Sequence, residues 1–328
     1  MKAPYECDLH SHTVGSDGND TPYELIQNAL ARGMKVLAVT DHDVLPPAFV
    51  TLPDGSQQEI CSYAAERGLC LLRGIEYSCE TTVQDVHIVG LGCDWDGDIM
   101  KTEVEKIAQS KARAYEETVR RLNERGYAME LEELLTMGGK RIDLTELQKK
   151  RIFDMMALKG YTTDWKSAKL LVREDPYLSV EREKPAGADI VRAIHAAGGV
   201  AILAHPWLID ETVEHDGVQK TRWEYICGLI DAGLDGIEIR YTYDKTSCKD
   251  KRPRQVIWEE IYSLARDKGL FFSGGSDYHA DAKKGTKNPR EIGECGLTFE
   301  EFLSVPQFRR LYEQVMNGAR ERETNLAG

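Results

Sequence analysis

Two histidines separated by one residue, His10 and His12, stand near the start of the chain in Cys7-Asp8-Leu9-His10-Ser11-His12-Thr13. On an extended strand residues i and i+2 face the same side, so both imidazoles point one way and can share a metal ion. A His-x-His pair alone is weak evidence, but four further clusters carry the same residue types. They are Thr40-Asp41-His42-Asp43, Gly74-Ile75-Glu76, Ala204-His205-Pro206 and Gly275-Ser276-Asp277-Tyr278-His279. Each follows a short apolar run, at 36–39, 69–72, 200–203 and 270–273, which is where parallel-strand α/β barrels place reactive groups. His87 lies inside the run Val86-His87-Ile88-Val89. A histidine so placed is ordinarily a hydrogen-bonded packing residue, and the four other clusters turn the reading toward a ligand. Imidazoles mixed with carboxylates suit manganese, iron or zinc better than a soft thiolate set would.

The elements that must position these groups alternate. Thr21-Pro22 opens a helix, with Thr as N-cap and Pro at the first helical position, and Gly33 closes it before the strand at 36–39. Residues 51–58 read as a loop, followed by a helix through Cys61, Ala64 and Ala65 that stops at Gly68. The next strand ends in Gly74-Ile75-Glu76, and another runs from Val86 to Gly92. From about residue 98 to 184 the character changes. Apolar residues at helical spacing (Val104, Ile107, Ala108, Ala114, Val119, Leu122) predict a long amphipathic helix over 101–125, ended by Gly126. Shorter helices are expected at 130–137, 144–159 and 164–173. Strand and helix alternation resumes at Pro185, with helices through Ile190 to Ile194, near 221–232 and at 254–268, and a strand at 236–239. A C-terminal helix is expected at 299–318, and 321–328 reads as a polar tail that frays. The pattern predicts an α/β fold with a parallel sheet. It also predicts a discontinuous catalytic domain, 1–97 with 185–320, and a helical insertion, 98–184, that caps the metal face.

The ordered motifs His-x-His, Thr-Asp-His-Asp, Gly-Ile-Glu, Val-His-Ile-Val-Gly, Ala-His-Pro and Gly-Ser-Asp-x-His resemble the PHP (polymerase and histidinol phosphatase) family of metal-dependent phosphoesterases. The resemblance covers residues 4–95 and 185–282. It implies a distorted (β/α)7 barrel holding up to three divalent ions at the C-terminal ends of its strands. By the resemblance, His10, His12, Glu76 and Asp277 hold one ion; Glu76 bridges to a second held by His87 and His205; Asp17, His42 and His279 hold a third. No ligand position of the family pattern is missing.

Ions bridged by Glu76 would stand about 3.5–4 Å apart, the separation used in two-metal phosphate chemistry, and a hydroxide shared between them would attack phosphorus. The expected ion is manganese, with iron or zinc as alternatives. Asp277 and His205 are the other expected catalytic groups. Asp41, Asp43 or a metal-bound water could protonate the leaving group, and Asp41 could equally orient a ligand histidine. Basic candidates for a phosphate that is not cleaved are Arg113, Lys150 and Arg151 in the insertion and Arg240 after the strand at 236–239, since arginine binds phosphate oxygens in pairs. Tyr241 and Tyr243 could flank a sugar or base. His195, in an expected helix, and His215, in an acidic loop, match no motif and read as surface or packing residues.

The resemblance favours members that dephosphorylate nucleotide 3′,5′-bisphosphates or open cyclic sugar phosphates. Histidinol phosphate phosphatase and 5′-end trimming of short RNA are alternatives. A C–N hydrolase of the amidohydrolase type would usually carry a lysine where Glu76 stands, and a non-catalytic metal-stabilised domain would not need the full ligand set. The 328 residues carry 42 Lys and Arg against 55 Asp and Glu, a formal charge of -13. That balance argues against tight nonspecific binding to long nucleic acids, which depends on neutralising phosphates. Small phosphorylated substrates remain open, because bound cations supply charge that a residue count misses. Eight cysteines form no Cys-x-x-Cys pair, no apolar run reaches membrane-spanning length, and the first strand begins almost at once. The expectation is a soluble cytoplasmic protein with reduced thiols.

Overall fold

The computed structural model describes residues 2–326, and side chains as far as residue 318. Seven strands form one sheet whose spatial order follows the chain: β1 (Cys7–Asp8), β2 (Val36–Val39), β3 (Cys70–Ser78), β4 (His87–Leu91), β5 (Val200–Leu203), β6 (Gly236–Arg240) and β7 (Phe271–Gly274). All neighbours run parallel except β4, which is antiparallel to both β3 and β5. The connection from β3 to β4 spans only 79–86, too short for the crossover that a parallel pair needs. The ends of the sheet approach closure. Leu9 N–H donates to the Gly274 carbonyl at 3.2 Å, and isolated bridges join Cys7 to Leu297 and Ser11 to Tyr278. The result is a nearly closed seven-strand barrel with helices around it.

Period-two alternation sorts the strand side chains into two cores. Val36, Ala38, Cys70 and Leu72 join Val89, Ile202, Phe302 and Phe308 in one buried cluster. Leu37, Val39, Leu69 and Leu71 join Leu25, Ile26, Ile60 and Ala64 of α1 (Pro22–Arg32) and α2 (Ile60–Ala65) in the other. Helix α1 begins as the sequence predicts. The Thr21 hydroxyl accepts from Glu24 N–H, the Glu24 carboxylate accepts from Thr21 N–H at 2.8 Å, and Gly33 closes the helix with φ 78°.

The chain forms two compact units: residues up to Lys101 with those from Pro185 onward, and Thr102–Lys184. The second unit contains most of α3 (Asp98–Glu124) with α4 (Leu131–Thr136), α5 (Lys149–Leu158) and α6 (Trp165–Glu174). It has its own core of Leu122, Leu134, Ile152, Phe153, Met156, Val172 and neighbours.

Several expectations need correction. The helix expected at 144–159 is a short 3-10 turn, Leu144–Glu146, followed by extended Leu147 and Gln148 and then α5. Extended Leu147 is buried, and an unbroken helix would place it differently. The helix expected at 299–318 is two helices, α10 (Phe299–Ser304) and α11 (Pro306–Leu326), after α7 (Gly187–Ala196), α8 (Arg222–Asp231) and α9 (Arg254–Asp267). The Pro306 ring excludes helical geometry from the residue before it, and Val305 sits at φ -83°, ψ 115°. The expected polar tail is helical to Leu326, and 327–328 lie outside the described residues. The expected loop at 51–58 contains a hairpin, Phe49–Thr51 with Gln57–Glu59. A second hairpin, Thr212–His215 with Val218–Thr221, turns at Asp216-Gly217, where φ is 54° and 72°. Asp-Gly between two strands is the sequence signal for such a turn. No helix among the described residues is long and apolar enough to cross a membrane. The eight cysteines are free, and all but Cys227 are buried.

Candidate metal centre

The strand-like course of β1 continues beyond its two ladder residues. Leu9 enters the core, Ser11 Oγ donates to the Ala38 carbonyl at 2.6 Å, and the alternate residues His10 and His12 turn together toward Glu76 on β3. Glu76 is fully buried and meets five imidazoles. Its Oε2 lies 3.0 Å from His10 Nε2, 3.1 Å from His12 Nε2 and 3.2 Å from His42 Nδ1. Its Oε1 lies 2.8 Å from His87 Nδ1 and 2.9 Å from His205 Nε2. Asp277 Oδ1 lies 3.0 Å from His12 Nε2, and Asp17 Oδ1 lies 3.0 Å from His279 Nε2.

The arrangement fits cations. His10 Nε2, His12 Nε2, His42 Nδ1 and Glu76 Oε2 are buried and make no hydrogen bonds, although they lie within ion-pair distance of one another. Buried polar atoms are normally satisfied, so atoms that converge without bonding to one another could serve as ligands to cations. Three groups could hold one each: His10, His12, Glu76 and Asp277; His12, Asp17, His42 and His279; and His42, Glu76 and His87. The last differs from the set the resemblance implies, because His42 takes the place of His205, which nonetheless reaches the same Glu76 oxygen as His87.

Charge is tightly coupled here. Burial opposes a charge on His12, but the Asp277 and Glu76 carboxylates beside it outweigh burial and raise the ring to about 10. Burial, helped by neighbouring imidazoles, takes His42 down to about 4. Burial acts against ionised Glu76 and Asp277 as well, yet the surrounding histidines hold both carboxyls well below the usual carboxylate range. A divalent ion would take the place of protons on such rings, so binding would release them.

Residues 8–169 match the PHP domain. A 5′-3′ exoribonuclease of Haemophilus influenzae is 28% identical over 273 residues, 83% of this chain and 89% of the relative. A 3′,5′-nucleoside bisphosphate phosphatase of Chromobacterium violaceum is 29% identical over 290 residues, 87% of this chain and 90% of the relative. Among solved structures, a protein designated a metal-dependent phosphoesterase from Bifidobacterium adolescentis superposes with TM-score 0.66 at 23% identity, covering 94% of this chain and 98% of that one. The chain carries a PHP domain.

The matched PHP segment ends before His205, Asp277 and His279, and the barrel brings these three to the residues it does contain. Sharp backbone turns at strand ends do this. His205 after β5 and Asp277 after β7 sit at φ 28° and 53°, and Asp43 after β2 at 56°, a region non-glycine residues seldom occupy and which costs on the order of 1 kcal/mol each. Gly275 is needed for a different reason. A Cβ there would stand 2.3 Å from His10 Cβ, so a side chain would push β7 away from the first ligand.

Two buried acids brace the PHP centre. Glu238 on β6 places Oε1 3.2 Å from His10 Nδ1 and accepts from His205 N–H at 2.8 Å, fixing one ring and the backbone of another ligand. Asp8 accepts from N–H groups of His10, Ser276 and Gly293 and from Ser276 Oγ, tying β1 to the segment that carries Asp277. Burial pushes its carboxyl up to about 6 against those hydrogen bonds. Neither residue was expected. Glu238 could have been found as the lone acid in the apolar run Gly236-Ile237-Glu238-Ile239.

The Asp41 carboxylate is taken up by Thr13 N–H at 2.8 Å, Thr13 Oγ1 at 2.6 Å and Ser16 Oγ at 2.7 Å, so it touches no histidine and instead holds the turn that carries Asp17. Arg240 forks onto Glu301 at 2.6 and 2.7 Å and donates to the Gly296 carbonyl. The ladder is irregular between Glu238 and Arg240, so two residues expected on one face point to different sides. Tyr241 is buried with its hydroxyl donating to Asp277 Oδ2 at 2.8 Å. Arg113 is exposed on α3, Lys150 pairs with Asp154 at 2.7 Å, and Arg151 donates to the Leu134 carbonyl. His195 lies 2.8 Å from Asp235, and His215 belongs to a hairpin strand and meets the Tyr225 ring edge-on. Arg290, which carried no sequence signal, places Nη1 2.5 Å from Asp277 Oδ2.

Proposed function

We propose that this hydrolase cleaves a phosphoester bond of a small phosphorylated metabolite of the nucleotide 3′,5′-bisphosphate or cyclic sugar phosphate class, using up to three divalent ions with manganese first. The observation that carries the reading is the convergence of five imidazoles on the two oxygens of one buried glutamate. Divalent ions held there supply Lewis acidity at a phosphoryl oxygen and a nucleophile at neutral pH. Glu76 offers its two oxygens to different histidines and so could serve two neighbouring ions, one with His10, His12 and Asp277 and the other with His87 and His205, while Asp17, His42 and His279 would hold a third. Glu238 and Asp8 keep the ligands oriented before substrate arrives, so little reorganisation accompanies the reaction.

The similarity to the Chromobacterium phosphatase supports the bisphosphate class, and the similarity to the Haemophilus exoribonuclease supports a second reading, 5′-end trimming of short RNA. The charge of -13 weighs against long RNA but not against its last nucleotides. The test is hydrolysis by manganese-loaded protein of nucleotide 3′,5′-bisphosphates, cyclic sugar phosphates, histidinol phosphate and short 5′-phosphorylated RNA, read as loss of substrate and identity of product, since opening a cyclic ester frees no phosphate. Turnover of a bisphosphate or cyclic phosphate well above the others is expected. Silence across the panel from protein that retains its ions would sink the reading.

A further inference from the structure

We propose that Arg290 is a positioning residue that, together with the Tyr241 hydroxyl, holds Asp277 so that a single oxygen, Oδ1, faces the metal-type cluster; this rests on the metal-centre reading above. The two Asp277 oxygens have separate surroundings. Oδ1 lies 3.0 Å from His12 Nε2 and 3.5 Å from His10 Nε2. Oδ2 accepts from Tyr241 at 2.8 Å and lies 2.5 Å from Arg290 Nη1. A carboxylate free to rotate can offer an ion one oxygen or two, and a guanidinium and a phenol fixed on Oδ2 remove the second choice.

Arg290 is itself built in. Its side chain is 15% exposed, and Nε donates to Asp281 Oδ2 at 3.0 Å, so one guanidinium spans two carboxylates through different nitrogens. Asp281 opens the 3-10 turn Asp281–Lys284, whose Lys284 Nζ donates to the Asp17 carbonyl at 3.2 Å. Segment 281–290 thus holds the Asp277 carboxylate and the Asp17 backbone, two positions 260 residues apart in the chain. Asp277 needs the support, because its backbone sits at φ 53°. Lysine could meet Asp277 or Asp281, but its single ammonium cannot reproduce the fork.

The experiment challenges purified holoprotein with graded EDTA and counts ions retained per chain by elemental analysis, for wild type, Arg290→Met, Arg290→Lys and Tyr241→Phe. Arg290→Met is expected to lose ions at a chelator concentration about 10–100-fold lower than wild type. Arg290→Lys should fall between, and Tyr241→Phe, which removes one hydrogen bond and no charge, should shift the same way by less. Tyr241→Phe carries the test should Arg290→Met fail to fold. Wild-type chelator resistance in Arg290→Met or, in that case, in Tyr241→Phe overturns the proposal, whatever happens to turnover. The wild-type curve tests the metal centre, and the substrate panel tests the phosphoesterase reading, so the three can fail separately.

Discussion

Glu76 in the barrel unit and Glu117 in the helical unit are both glutamates crowded by basic side chains, and in both the carboxyl lies below its ordinary range. Glu117 accepts from Arg120 and Arg121 at 2.6–2.7 Å on the open face of α3, where those hydrogen bonds bring it to about 2. Its side chain is 32% exposed, and water screens every charge around it. Glu76 is fully buried, and its five histidine contacts replace water. Local pairing alone therefore does not make a site. Low dielectric, enforced by the strands around Glu76, is what lets the same residue type act strongly on a bound ion or a developing charge.

The largest test of that contrast is Glu76→Gln. It should strip bound ions and lower turnover by about 10³-fold, some 4 kcal/mol at 1.36 kcal/mol per decade. Elemental analysis beside kinetics would refute the role if the variant kept its ions and rate. Next is Ile152→Ala, which opens a cavity in the separate core of the helical unit and should cost about 3 kcal/mol in denaturant unfolding of that unit. Ions retained per chain should stay at the wild-type number, and a parallel loss would show that the two units do not differ in the way drawn here. Glu238→Gln keeps an acceptor but not the charge beside His10. Ion retention should weaken about 10–100-fold, or 1.4–2.7 kcal/mol, and an unchanged chelator titration would remove Glu238 from the supporting set.

The smallest effects are at half-exposed pairs. Arg240 holds the Glu301 carboxyl down to about 2 from 4.5. A depressed folded value stabilises the fold above pH about 4.5, and that stability is lost as pH falls toward 2. Because the Glu301 side chain is 42% exposed, the effect should be on the order of 1 kcal/mol. Urea unfolding of Glu301→Gln should match wild type at low pH and fall below it at pH 7; equal stability at both would mean the pair contributes nothing. Glu117→Gln should unfold at the wild-type urea concentration throughout.

Much of this was legible before the fold. Apolar runs ending in His, Asp or Glu located the strands and the groups at their ends, since a buried parallel strand must be apolar along its length while its end is free to carry function. Thr21 with Pro22 and Gly33 marked α1 correctly. Pro306 was equally readable and was passed over. The irregularity that turns Arg240 from the centre was not readable, because a bulge depends on how neighbouring strands register. Arg290 and Asp281 sit in a loop whose composition resembles any polar surface segment.

The sequence by itself determined the order of the barrel strands, the change of character near residues 98 and 184, and the residue types of the centre, because hydrophobic periodicity and donor chemistry are local properties. Only the tertiary structure decided that Glu76 takes His10, His12 and His42 on one oxygen and His87 and His205 on the other, that Glu238 and Asp8 brace the ligands, and that Tyr241 and Arg290 meet on Asp277 Oδ2. Those pairings join residues up to 285 positions apart, as Asp8 and Gly293 are. Sheet closure and the turn at each strand end fix them, and neither is a property of any short stretch of chain.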